Sequence, residues 1–226
     1  DKGKVKTRNA TSGSGYHCPP GSASPTTHKC PPGYYCSKGL KFECPKGTSN
    51  AEEGKSEETD CKKCAGGKYQ DQEARLSCDS CPAGTYLDQT GQINKTSCED
   101  CPKGRYAQAE GAAALALCNE CAAGKYGDQK GQSERRAACM PCAEGKYSDD
   151  RSSACKDCAA GKSAQSNGTS VCAVCLPGFY SSAGQSKCTG CPAGRYREDS
   201  HGSFIGSCIR CTLGTFQDET GKAVCK

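Results

Sequence analysis

Cys61-Lys-Lys-Cys64-Ala-Gly-Gly67-Lys-Tyr69, Cys78-Asp-Ser-Cys81-Pro-Ala-Gly84-Thr-Tyr86 and Cys98-Glu-Asp-Cys101-Pro-Lys-Gly104-Arg-Tyr106 are one phrase written three times in succession. Working outward, the same Cys-x-x-Cys pairs continue as Cys118/Cys121, Cys139/Cys142, Cys155/Cys158, Cys172/Cys175, Cys188/Cys191 and Cys208/Cys211, and Cys225 opens another. Twelve to seventeen residues separate one pair from the next. That period is too short for tetratricopeptide, ankyrin or propeller repeats. A glycine stands three residues after the second cysteine of every pair, which points to a backbone requirement for positive φ after a cross-linked residue. An aromatic usually follows two positions on, as in Tyr126, Tyr147, Tyr180, Tyr196 and Phe216, while Ser163 replaces it once. Such a ring would lie back over the neighbouring disulfide and supply most of the apolar area a repeat can bury. An acid seven residues after the cysteine (Asp71, Asp88, Asp128, Asp149, Glu198 and Asp218) is expected to cap the following turn.

Composition bounds the rest. The 226 residues hold 23 Cys but no Trp, four Phe and one Met. Mean hydropathy is −0.75. A chain so poor in core formers cannot fill the interior of an ordinary domain of this length, so cross-links must supply most of its stability. Disulfide-dense, core-poor chains persist in oxidising surroundings, which predicts an extracellular, secreted or cell-surface location. Three of the five Asn lie in N-glycosylation triplets: Asn9-Ala-Thr11, Asn94-Lys-Thr96 and Asn167-Gly-Thr169. They predict N-linked glycans.

Residues 16–63 vary the theme. Cys18-Pro-Pro-Gly21, Cys30-Pro-Pro-Gly33-Tyr-Tyr-Cys36 and Cys44-Pro-Lys-Gly47 keep the turn but not the pairing rhythm. The organisation expected is therefore a basic tail over 1–15, an atypical capping module over 16–63, and a tandem array of about nine short repeats over 64–226. The fold class expected is an elongated rod of small disulfide-rich modules, with two- to four-residue strand pairs, tight turns and almost no helix. Residues 112–117, Ala-Ala-Ala-Leu-Ala-Leu, could form one helical turn, and a loop that packs Leu115 or Leu117 on the next repeat is the favoured reading. The chain begins at Asp1, and Cys225-Lys226 reads as half of a further pair, so the array is expected to continue.

The chemistry of catalysis has little to draw on. His17, His28 and His201 are scattered in turn-rich segments, and no enzyme activity or cofactor is expected. Four-cysteine zinc ribbons share the spacing of tandem Cys-x-x-Cys pairs. Against zinc, one phrase recurs at every pair, whereas a ribbon needs two different halves. One acid per repeat is a thin ligand set for calcium. The net charge of +5 is dispersed, and only Lys2, Lys4, Lys6 and Arg8 form a basic run, read as a solvated tail. Nucleic acid is not an expected partner, and no stretch of the sequence would span a membrane.

The repeated phrase Cys-x-x-Cys-Pro-x-Gly-x-Tyr resembles the ephrin-receptor-like cysteine-rich repeat, a relative in style of TNF-receptor cysteine-rich domains and EGF-like modules. The resemblance covers about residues 16–226. By analogy with the first loop of TNF-receptor-like modules it implies that the second Cys of one pair bonds the first Cys of the next. The pairs implied are Cys44–Cys61, Cys64–Cys78, Cys81–Cys98, Cys101–Cys118, Cys121–Cys139, Cys142–Cys155, Cys158–Cys172, Cys175–Cys188, Cys191–Cys208 and Cys211–Cys225. Cys18–Cys30 would extend the series and leave Cys36 odd. Members of the family include receptors, adhesion proteins and structural surface proteins, so the resemblance does not dictate one function. Near-uniform repeats and evenly mixed charge suggest a glycoprotein subunit or decoration of a filament or coat. The alternative is a receptor or adhesion ectodomain that binds a protein or glycan. Expected partners are other extracellular proteins or further copies of the chain.

Overall fold

The computed structural model describes residues 14–24 and 26–226. The basic run and Asn9 lie outside them. Among the described residues, two-stranded antiparallel sheets follow one another, nearly all of them two residues to a strand. In each repeat from Cys44 to Cys191 the two residues after the turn glycine pair with the dipeptide inside the next Cys-x-x-Cys. Lys68–Tyr69 lies against Asp79–Ser80, and Lys125–Tyr126 against Met140–Pro141. Helix among these residues is confined to four 3-10 turns and one α-turn. One of those 3-10 turns is Leu115–Leu117, but both leucines stay exposed, and Ala112 is the residue of that segment that is buried. The α-turn, Arg135–Ala138, lies in the longest loop, where Ala138 packs with Tyr106, Cys121 and Cys139.

Cystine takes the place of an apolar core. Apart from Gln70, the largest fully buried side chains among the described residues are all cysteines. In every pair but Cys208/Cys211 the second Cys is the more deeply placed: Cys81, Cys101, Cys121, Cys142, Cys158, Cys175 and Cys191 are wholly buried. Ten bonds run from such a cysteine to the first Cys of the next pair, from Cys44–Cys61 to Cys211–Cys225. Each closes a loop 13 to 18 residues long, worth about 3 kcal/mol through the entropy it removes from the unfolded chain. Aromatics add to this core in particular repeats. Tyr106 packs on the Cys121–Cys139 disulfide, and Tyr147 beside Cys158, Ala164 and Cys172.

The N-terminal module corrects the expected pairing. Cys30 bonds Cys36, not Cys18, and Cys18 takes no part in the eleven disulfides of the described residues. The reason lies at the sixth position after the leading cysteine, which is buried in repeat after repeat as Asn50, Gln70, Leu87 and Ser148. Cys36 occupies that slot after Cys30, and its sulfur therefore meets Cys30 directly. The hairpin Tyr34–Ser37 with Leu40–Glu43 holds it there, turning on Lys38 and Gly39, both at positive φ.

The chain divides into two compact units, one holding the residues up to Glu99 with Ala109–Leu117, the other Asp100–Gln108 with Cys118–Lys226. Within each unit, the junctions between modules repeat one set of backbone hydrogen bonds. In the second unit, Cys142 N–H donates to Gly124 C=O (2.9 Å), Gly124 N–H to Ser148 C=O (2.9 Å), and Gly168 N–H to Cys142 C=O (2.7 Å). In the first, Cys64 donates to Gly47, Gly47 to Gln70 and Gly91 to Cys64. The turn glycine thus spends both its backbone groups on the next module.

Two residue positions in this ladder need a left-handed backbone. The turn glycine is one, at φ +83° for Gly124. The second is a loop residue nine or ten positions after the leading cysteine: Gly91, Gly111, Gly131, Gly168 and Gly221, but also Ala74 (φ 58°), Arg151 (61°) and His201 (67°). The substitutions follow from space. A Cβ on Gly54, at the loop position, would meet nothing, whereas one on Gly124 would collide with the backbone carbonyl of Gly168. Gly54→Ala should therefore cost only the left-handed penalty, about 1 kcal/mol. Gly124→Ala should lower the guanidinium midpoint clearly further, because a backbone carbonyl must move. Equal midpoints for the two variants would contradict this ranking.

Candidate interaction surface

With the cysteines and turn glycines committed to the frame, the freely variable side chains are those of the dipeptide inside each Cys-x-x-Cys and of the loops. The dipeptides Lys62–Lys63, Asp79–Ser80, Glu99–Asp100, Asn119–Glu120, Lys156–Asp157 and Ala173–Val174 are exposed at both positions. Their backbone is fixed by pairing with the preceding strand, so their chemistry can change without disturbing the fold. Several form ion pairs across the hairpin, Arg105 with Glu120 (2.8 Å) and Lys146 with Asp157 (2.6 Å).

The acids at the seventh position do not serve as the expected caps. Asp71, Asp88, Asp128, Asp149, Glu198 and Asp218 are all exposed. Two of them take the lysine directly after the cysteine that closes their loop: Asp149 accepts from Lys156 Nζ (2.7 Å) and Asp218 from Lys226 Nζ (2.6 Å). The Lys226 bond holds the Asp218 carboxyl below its ordinary range. The turn is capped one residue earlier. Gln70 Oε1 accepts Gln72 N–H while its Nε2 donates to Ser77 C=O, and Gln217 repeats this with Glu219 and Val224. Asn50 Oδ1 accepts Glu52 N–H in the same way. A buried amide at the sixth position is visible in the sequence as Asn50, Gln70 and Gln217, but Leu87, Ala107 and Ala164 at the same place hide the pattern.

All nine Cys-x-x-Cys pairs of the zinc reading are committed to disulfides. Among the described residues, no group of three His, Cys, Asp or Glu is placed to hold a metal ion. His17 and His28 face each other across a strand pair with ring centroids 5.7 Å apart. His201 occupies the left-handed loop position, beside the Ser200 hydroxyl.

Exposed apolar residues are unevenly spread, and part of that is plain in the sequence, since residues 118–170 contain no Leu, Ile, Val or Phe. Among the described residues from 118 to 170 no large hydrophobic side chain is exposed. From 171 to 209 six are: Val171, Val174, Leu176, Phe204, Ile205 and Ile209. Val174, Leu176 and Phe179 line one shallow cleft of about 410 Å³ together with Ala173 and Gln165. Only the fold shows that these apolar residues are not spent on a core.

The family model described as tyrosine-protein kinase ephrin type A/B receptor-like matches residues 52–98. The matched stretch contains the disulfides Cys64–Cys78 and Cys81–Cys98, which are typical of the modules after it. That match and the eleven disulfides in tandem modules support an array of ephrin-receptor-like cysteine-rich repeats. No curated protein matches it. Eleven disulfides in such repeats suit the oxidising exterior of a cell. No helix among the described residues is long and apolar enough to cross a membrane.

The ephrin-receptor-like hairpin also couples a phenol to a carboxylate. Tyr86 Oη donates to Glu99 Oε2 at 2.6 Å, and this bond, with burial and the charges of Glu99 and Asp88, raises the Tyr86 pKa. Burial and the charges of Asp79 and Asp71 raise that of Tyr69. A phenol whose folded pKa is raised lends stability below its unfolded pKa and loses it as pH climbs through the folded value. Spectrophotometric titration should show tyrosines ionising above the ordinary phenol range. Glu99→Gln should move one of them down, and an unchanged curve would remove the coupling.

Proposed function

We propose that this repeat array is a protein-binding ectodomain, of the receptor or adhesion kind, that acts by contact and not by turnover. The observation that carries the reading is the run of exposed apolar residues from 171 to 209, which follows a stretch, 118–170, without Leu, Ile, Val or Phe. A water-exposed apolar cleft costs solubility and persists where a partner covers it. A filament or coat subunit would repeat its contacts module by module. Among the described residues, exposed apolar side chains also occur earlier, at Leu40, Phe42, Leu76, Ile93, Leu115 and Leu117, but nine of the fifteen fall between Val171 and Val224, an unequal spread that favours the receptor reading over the structural one. The cleft is shallow and lined mainly by apolar side chains, among them Val174, Leu176 and Phe179, a form suited to a protein surface and not to enclosure of a small substrate. Whether the chain is secreted or held at the cell surface, the disulfides ask for the same oxidising setting.

The test is sedimentation of the oxidised chain over a rising concentration series, paired with binding of the labelled chain to the surface of cells from its source. A single species at every concentration, with saturable binding lost in Val174→Asp/Leu176→Asp, is the expected result. Concentration-dependent polymers that survive the double substitution would overturn it in favour of the filament reading.

A further inference from the structure

We infer that N-linked oligosaccharides occupy Asn94 and Asn167, and that the second is aimed by a bond between two modules. Asn94 and Asn167 are exposed, and each stands two residues before a threonine. Asn94 precedes the 3-10 turn Lys95–Ser97 in extended conformation, φ −136° and ψ 143°, and its side chain makes no capping bond. The equivalent place, thirteen residues after the leading cysteine, carries Glu57 in one module and a largely exposed Phe204 in another. The fold thus accepts a large group there, and at Asn94 it asks nothing of the side chain.

Asn167 differs. Its Oδ1 accepts the backbone N–H of Glu144, which belongs to the preceding module, at 3.2 Å. One junction earlier, Asp150 Oδ1 accepts Ala123 N–H at 2.8 Å in the same manner. Glycosylation leaves this acceptor intact. The Nδ2 atom attacks C1 of an oligosaccharide carried on a lipid diphosphate, the N–C1 bond forms, the C1–O bond to the diphosphate breaks, and the Nδ2 proton leaves with the departing diphosphate. The oxygen that latches the modules is untouched, so the glycan projects from a side chain already held in place. The oxidising compartment that eleven disulfides require is the one in which this transfer takes place.

The experiment is peptide mass spectrometry of the disulfide-intact chain secreted from a eukaryotic host, before and after amidase release of N-glycans in heavy-oxygen water. Both Asn94 and Asn167 should be recovered as labelled Asp, and Thr96→Ala and Asn167→Asp should each remove one glycan. Asn167→Asp keeps the acceptor that Asp150 supplies elsewhere, so this variant should be secreted at the level of the parent and unfold at the same midpoint once the parent is deglycosylated. Asn167→Ala should unfold earlier. Recovery of either asparagine unmodified overturns the assignment at that site, and equal midpoints for Asn167→Asp and Asn167→Ala overturn the latch.

Discussion

The turn glycine is the constraint on which the structure depends. Its N–H and C=O both bond to the next module, its φ lies in the left-handed region, and at most junctions, Gly124 among them, an added Cβ would strike the facing carbonyl. An ordinary repeat protein buries apolar side chains at each junction. This one has few to bury, and it substitutes backbone hydrogen bonds placed against buried cystine. The disulfides and the ladder are complementary: the cross-link limits what the loop can do when unfolded, and the ladder fixes how one loop sits on the next.

Freed from packing duty, side chains on the edge dipeptides and loops carry whatever chemistry selection asks of them. Two of the polar dipeptides, Asn119–Glu120 and Lys156–Asp157, make local ion pairs, which water screens and which contribute little to stability. The apolar residues from 171 to 209 break that habit. A scaffold stabilised by cystine and backbone bonds tolerates such exposure, because moving a valine or leucine out of its core costs nothing when it was never in the core.

Much of this was legible in the residues. The recurring glycine predicted positive φ, the rhythm of the pairs predicted tandem hairpins without helix, and the phrase led to the family. Where the rhythm lapses, at Cys18, Cys30 and Cys36, analogy misplaced a bond, because Cys36 fills a buried slot that elsewhere holds an amide, a leucine or a small side chain. The second left-handed position escaped notice since Ala74, Arg151 and His201 break its run of glycines, and loops of unequal length move it by one residue. The seventh-position acids recur more regularly than the buried sixth-position amides, so the capping role fell in the sequence to the wrong neighbour. Exposure itself is a property of the folded chain, so the apolar cleft could not be read from the order of residues.

Native-state hydrogen exchange resolved by residue tests the inter-module ladder most directly. The account predicts that the amides of Gly124, Cys142 and Gly168, which cross a junction, exchange slowest, well behind those of loop residues that make no such bond. Exchange of these three as fast as the exposed loops, with the disulfides intact, would contradict it and leave the cross-links alone to hold the modules.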